Sequence, residues 1–413
     1  MRTLAFLVVL VSMALPWSVN AGEGLPAPLR WADIVSGVVS QPGVQGSLLR
    51  ARAAEAGVSA AGAVANPGIE ARIGRAIPGE NGGGGLEWGL GLEIPFDWLA
   101  TRGAAMGEAR ADAESLRQES ILAKRDLLGV LAGLFWKAVH DRDRIAILGQ
   151  TRTEVTRLRD LIETRVRKGD ARPTELTRIE IERERVNLEL VRARGEAQAN
   201  RRSLAELLGV ADAGQLDVEA GSLQPAEPPE IEDSLRMALS THARLTAAQA
   251  RVQGRNARVR LERARRIPGL SLGAYLDREP DRNAAGGMLR VELPVWNWNT
   301  AEIRRAEAAR DAEEKAVEAA QRQIRAEVAS AWERCFHGKR ALEHLDREVV
   351  SRVESNARTV EQGFALGEFT LFEVLDARRM LLDVRRETLA SALDVRLECT
   401  ALGVLTGGID DAE

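Results

Sequence analysis

The chain repeats itself, and that constrains its fold more than any other feature of its 413 residues. Asn66-Pro67-Gly68-Ile69 returns as Ile267-Pro268-Gly269-Leu270, and Glu93-Ile94-Pro95-Phe96 returns as Glu292-Leu293-Pro294-Val295. Gly107-Glu108-Ala109 matches Ala306-Glu307-Ala308, Lys168-Gly169-Asp170 matches Leu366-Gly367-Glu368, Glu175 falls on Glu373 and Leu204 on Leu402. Coincidence does not hold one offset of about 200 residues across about 140 positions. The reading is two copies of one unit, over 22–210 and 230–408. A Gly-, Pro- and acid-rich linker at 211–229 joins them, and a short tail covers 409–413.

Each unit carries the same order of signals. A helical pattern comes first, over 27–64 and again over 229–266. Two short segments with period-two alternation follow: Leu86, Trp88, Leu90, Leu92 and Ile94 alternate with Glu87, Gly89, Gly91 and Glu93. In the second copy Leu270, Leu272, Ala274 and Leu276 form one such row, and Leu289, Val291, Leu293 and Val295 another. Alternation of this length suits a membrane strand with an apolar face to lipid and a polar face to a lumen. The strand over 69–77 is the poorest, because Arg75 falls on its apolar face. Very long helical patterns follow over 101–168 and 300–366, each able to reach about 100 Å at helical rise. A Gly-acid turn then reverses the chain into return helices over 174–208 and 370–405. Leu371, Val374, Leu375, Arg378, Leu381, Leu382, Arg385 and Leu389 mark the stripe of the latter. Composition agrees, since aromatics make up only 4% and Ala, Arg, Glu and Leu dominate.

The N-terminus sets the compartment. Arg2, an apolar run from Leu4 to Leu15, Pro16 and then Val19-Asn20-Ala21 read as a secretory signal over 1–21. Later apolar windows are all interrupted by charge, so membrane passage has to be by a β-barrel. Four strands cannot enclose a barrel lumen, for which about eight are needed. Three chains would supply twelve. The expected fold is mainly α with a small membrane β-barrel contribution. It is a duplicated helix–β-hairpin–long helical hairpin unit with four strands per chain, closing in a homotrimer as a β-barrel continued by an α-helical barrel. A net charge of −4 with acid and base interspersed gives no footprint for nucleic acid.

At this point the residues resemble a family. Duplicated helix–hairpin–helix units with a Gly turn look like the TolC outer-membrane efflux family, over nearly all of the chain after the signal. Leu366-Gly367-Glu368-Phe369-Thr370-Leu371-Phe372-Glu373-Val374-Leu375-Asp376-Ala377 is similar to that family's tip sequence, with Glu373 in place of an Asp. Copy one keeps Gly169, Thr174 and Glu175 but has Arg178 where copy two has Asp376. The run from Glu292 to Asn299 resembles the CzcC-like heavy-metal branch. No Cys follows the apolar run, where many members carry a lipid acceptor, so no anchor beyond the barrel is expected. The resemblance implies an outer-membrane channel of a Gram-negative bacterium, with its helical part in the periplasm. It would be a passive exit duct served by a periplasmic adaptor and an inner-membrane efflux pump, of RND type, and seated in outer-membrane lipid. The cargo itself is not legible; metal cations are the one suggested by the branch. A periplasmic adaptor or coiled-coil structural protein is the alternative, but adaptors carry one helical hairpin per chain among compact β-domains.

Three groups of residues are candidate sites. Glu373 and Asp376 lie three apart on one helix face, so a trimer would ring its narrow end with six carboxylates, as acidic rings do in cation channels. Their counterparts Glu175 and Arg178 complete the candidate gate; the bland alternative is a solvated helix face. Gly169-Asp170 and Gly367-Glu368 are the tips where the resemblance places adaptor docking. Cys335 and Cys399 lie 32 residues before and after Gly367. An antiparallel pair therefore holds them at one height, roughly 48 Å from the tip. A disulfide and two buried thiols both fit, since rotation about each helix axis is open. No catalytic constellation, cofactor site or metal site is expected. His140, His242, His337 and His344 form no ligand pattern, Cys335-x-His337 offers two ligands where a structural site wants four, and Gly82 to Gly85 lack the Lys of a phosphate loop.

Overall fold

A computed structural model describes residues 28–76, 84–210, 214, 216–219, 223–280 and 282–408. The expected signal at 1–21, the tail at 409–413 and part of the linker lie outside the described residues, as do Ile77, Gly82 and Gly83.

The four alternating segments form one antiparallel meander, β1 (Gly68–Ala76), β2 (Gly85–Pro95), β3 (Gly269–Arg278) and β4 (Asn283–Glu292). β2 pairs with β3, so the sheet joins the two copies, with Leu90 opposite Leu276 and Ile94 opposite Leu272. The opposite face is polar: Glu93 accepts hydrogen bonds from Ser271 Oγ at 2.6 Å and Arg290 Nη1 at 2.6 and 2.8 Å. The alternation thus splits the sheet into an apolar and a polar face, as a barrel wall requires. Ile69 and Ile73 keep their place on the apolar face, and Arg75 shares it at the end of β1 farthest from the helices. Among the described residues no helix is long and apolar enough to cross a membrane.

The leading helix of each copy is broken, where the periodicity predicts one helix. α1 (Trp31–Gly37) and a short 3-10 turn give way to α2 (Pro42–Ala61), and α5 (Ile231–Thr241) gives way to α6 (Ala243–Ala264). The breaks fall on Gln41 and His242, corresponding places in the duplication. Gln41 is extended because its successor is Pro42, whose ring crowds the helical conformation of the residue before it. His242 is extended without a proline and caps α6 itself, its Nδ1 accepting from the Arg244 amide at 3.2 Å. Two different local chemistries make the same break, so the pattern of either copy alone conceals it.

α3 (Trp98–Lys168) runs 71 residues without interruption and returns as α4 (Pro173–Leu208). Its counterpart is not continuous: α7 (Thr300–His344) passes through a π-helical turn, Leu345–Val350, into α8 (Ser351–Leu366), which returns as α9 (Leu371–Thr406). The copies meet closely where side chains are small. A Cβ added to Gly254 on α6 would stand 3.3 Å from Ala111 of α3, and one on Gly107 of α3 would stand 3.4 Å from Ala257 of α6. The main core lies midway along the helices, where Trp31 and Phe135 pack with Trp136, Leu128, Leu131, Val139 and Leu204. A linker segment closes it through Leu29 N to Asp217 O at 2.7 Å, with Val218 buried beside Leu29. Burying each large side chain there contributes about 1.5–3 kcal/mol. A second core near the helix tips unites both hairpins, drawing Leu158 and Ile162 from α3, Ile179 from α4, Val360 and Phe364 from α8, and Val374 and Leu375 from α9.

Candidate gate and docking tips

Both tips are built on the same backbone. Gly169 and Gly367 adopt φ +82° and +85°, the left-handed region that a side chain makes costly. The Gly169 amide donates to Val166 O at 3.0 Å and Asp170 to Arg165 O at 2.8 Å; Gly367 and Glu368 repeat this on Phe364 O at 3.2 Å and Gly363 O at 2.8 Å. These paired bonds end each outgoing helix in a Schellman turn and satisfy carbonyls that would otherwise be orphaned. A Cβ at either glycine would meet nothing within 4 Å, so the requirement is one of backbone angle, not of space.

The return helices start differently. Copy one uses Pro173 in the first turn after Arg172, with no side-chain cap. Copy two uses a capping box: Thr370 Oγ1 accepts from the Glu373 amide, and the Glu373 carboxylate accepts from the Thr370 amide at 2.7 Å and its hydroxyl at 2.8 Å. The Thr370 amide first, and its hydroxyl second, hold the Glu373 carboxyl below the usual glutamate range. Glu373 is therefore charged and exposed, but one of its oxygens is engaged by its own helix start. Asp376 stands exposed one turn further on. Glu175 is half-buried in the first turn of α4. The Arg178 guanidinium lies 5.7 Å from the ring of Phe372, bridging the starts of α4 and α9.

Sequence reasoning passed over the charges inside the α9 stripe. Arg378, with its side chain only 14% exposed, reaches Glu154 of α3 at 3.0 Å and Glu361 of α8 at 2.9 Å. Arg385 reaches Glu354 of α8 at 2.7 Å, Arg386 reaches Glu189 of α4 at 3.1 Å, and Arg379 Nε donates to Glu182 of α4 at 3.1 Å. Four arginines on one helix thus tie the second hairpin to the first and to itself. Glu361 pays for its position: burial first, and the nearby Glu154 charge with it, raise its pKa against the pull of Arg378. The available signal was an Arg at two positions where helical spacing calls for an apolar residue.

The two cysteines are joined. Cys335 on α7 and Cys399 on α9 form a disulfide with Cα atoms 4.8 Å apart, and His337 pairs instead with Glu333 at 3.0 Å.

The fold has counterparts among known proteins. The family model described as "Outer membrane efflux protein" matches residues 39–210 and 234–408. The cobalt-zinc-cadmium resistance protein CzcC of Cupriavidus metallidurans is 24% identical over 296 residues, 71% of each chain. A solved structure of CusC superposes with a TM-score of 0.78 at 16% identity, covering 96% of this chain and 97% of that one. The outer membrane protein VceC of Vibrio cholerae gives 0.77 at 17%, covering 92% and 96%.

Proposed function

The chain belongs to the outer membrane efflux protein family, and from that premise we propose a passive exit duct made of three copies. It is an outer-membrane channel protein with its helices in the periplasm. In the proposed assembly twelve strands close the barrel and the long helices continue the lumen toward the inner membrane. An inner-membrane pump of RND type drives export, and a periplasmic adaptor meets the channel end to end at Gly169-Asp170 and Gly367-Glu368. Cobalt, zinc or cadmium ions are the proposed cargo, by likeness to the resistance protein. The duct has no catalytic role. The gate is the acidic face of Glu373 and Asp376, with Glu175 and Arg178 beside it, held in place by the Arg378 ion pairs.

One observation carries this reading: a four-stranded sheet with one apolar face ends in two unpaired edges, and beneath it stand two helical hairpins far longer than any globular core needs. An open edge in lipid leaves backbone groups unsatisfied, at several kcal/mol each. The adaptor alternative, with one hairpin and compact β-domains, does not fit this architecture. Detergent extracts of outer membranes are expected to contain heat-modifiable trimers that conduct ions in planar bilayers. Cells lacking their own channel should regain cobalt, zinc and cadmium tolerance when the chain is expressed with its pump and adaptor. Monomeric, non-conducting protein would overturn the duct; trimers without metal tolerance would overturn the cargo.

A further inference from the structure

We infer that β4 of one copy pairs with β1 of the next in one definite antiparallel register. In that register Glu292 stands opposite Arg72, Arg290 opposite Gly74 and Val291 opposite Ile73. The inference rests on the trimeric duct and supplies the contact by which it closes.

The register follows from the chain's own duplication. β1 and β2 pair Gly68 with Glu93, and β3 and β4 pair Gly269 with Glu292. Those are the matched residues of the two copies, so one hairpin maps onto the other without slip. The junction between hairpins inside the chain, β2 to β3, is then a template for the junction between copies. In β2–β3, Glu93 faces Gly273, Gly91 faces Tyr275 and Leu92 faces Ala274. Carrying each residue to its counterpart places Glu292 on Arg72, Arg290 on Gly74 and Val291 on Ile73. Both hairpins run into equivalent helices, through Pro95 at the end of β2 and Pro294 after β4, so they must stand at one height in a common barrel.

The side chains discriminate against the alternatives. A slip of one residue turns Val291 from the lipid face to the lumen. A slip of two in one direction sets Arg290 against Arg72 and Glu292 against Glu70, two like-charge pairs that are unfavourable when directly opposite. A slip of two the other way leaves Glu292 facing Gly74 and removes the pair. Among registers within two residues of it, only the inferred one matches acid to base and keeps both apolar rows in phase. Within its own chain Arg72 reaches Asp277 and Glu70 only at 3.5 and 3.7 Å. On the β1 edge Ile69 and Ile73 are 75% and 81% exposed, and on the β4 edge Leu289 is 62%, whereas Leu92 and Ile94 inside the sheet are 41% and 39%.

Cross-linking tests it. The Phe96 amide donates to Leu270 O at 2.7 Å, which marks the hydrogen-bonded pairs of β2–β3 and makes Glu93/Gly273 a non-hydrogen-bonded pair. Its counterpart Glu292/Arg72 should have Cα atoms about 4.5 Å apart, within disulfide reach. Full-length Arg72→Cys/Glu292→Cys, oxidised in outer membranes and boiled without reductant, is expected to run largely as covalent trimer. The native Cys335–Cys399 bridge lies within one chain and links no copies. Glu70→Cys/Glu292→Cys and Gly74→Cys/Glu292→Cys should cross-link at least about tenfold less, since neighbouring diagonal pairs lie about 7–8 Å apart. Stronger cross-linking in either would overturn the register while leaving the trimeric duct intact; a wild-type chain without heat-resistant trimers would overturn both. A charge exchange covers variants that assemble poorly. Arg72→Glu should lower the heat resistance of the trimer and Arg72→Glu/Glu292→Arg should restore it, and failure of that rescue counts against the pairing.

Discussion

Removing the Cys335–Cys399 bridge should loosen one helical hairpin and leave the other as its control. The bond encloses a loop spanning 64 residues of sequence separation, which holds the end of α7, the π-helical turn, α8 and most of α9. On the chain-entropy account, closing a loop of that length stabilises the enclosed structure by about 4 kcal/mol. Hairpin one contains no cysteine, so α3 and α4 receive none of this. The perturbation is Cys335→Ser/Cys399→Ser in the full chain, and the assay is hydrogen exchange on the detergent-solubilised trimer. Amides in 351–366 and 371–385 should exchange faster by up to about a thousandfold, the equivalent of 4 kcal/mol at about 1.4 kcal/mol per decade. That is an upper limit, because the tip core of Val360, Phe364, Val374 and Leu375 still packs on hairpin one. Amides in 150–166 and 176–190 should change little. Equal acceleration in both hairpins, or none in either, would refute the reasoning that the bridge acts locally on the enclosed loop.

Other outcomes follow from the tips and the helix breaks. Gly169→Val/Gly367→Val forces two β-branched residues into positive φ, costing at least about 1–2 kcal/mol each; export should fail while trimers still insert, as read by metal tolerance against trimer content. Glu373→Gln keeps a capping acceptor without the charge, so if the acidic ring gates, Glu373→Gln/Asp376→Asn should weaken multivalent-cation block of bilayer conductance as much as Glu373→Ala/Asp376→Ala does. A change confined to the alanine variant would mark Glu373 as a cap alone. Arg378→Met strands Glu154 and Glu361 beside each other, and should lower the tip's resistance to opening by less than the about 3–5 kcal/mol of a fully buried pair, since both carboxylates stay about a third exposed, seen as higher conductance and faster proteolysis near residue 367. His242 is held below the ordinary imidazole pKa of 6.5, by burial first and then by the Arg244 and Arg125 charges. Its contribution to stability is therefore complete above about pH 6.5 and is lost as pH falls through the lower folded value. His242→Asn, which can still cap α6, should flatten the pH dependence of the thermal midpoint below about pH 6.5.

What the sequence by itself determined is what depends on local conformation or on counting. Gly169 and Gly367 could be read as tips because only glycine accepts those backbone angles cheaply. The strands could be read because alternation is a property of successive residues, and the shared height of Cys335 and Cys399 because helical rise is constant. The duplication made the two-hairpin architecture legible before any contact was known. The tertiary structure decided what depends on rotation about a helix axis and on which element lies alongside. Linear spacing does not say which way a side chain turns, so it could set the two sulphurs level without bringing them together. Nor could it show that Arg378, lodged in an apolar stripe, would find Glu154 more than two hundred residues earlier in the chain. Glu373 was seen as a charge, although its engagement by Thr370 is a local capping box legible in Thr370-x-x-Glu373, and the break at His242 rests on an equally local bond two residues ahead. The Arg378 ion pairs form only once packing has set α9 against α3 and α8, and there the physical information passes from the order of residues to their arrangement in space.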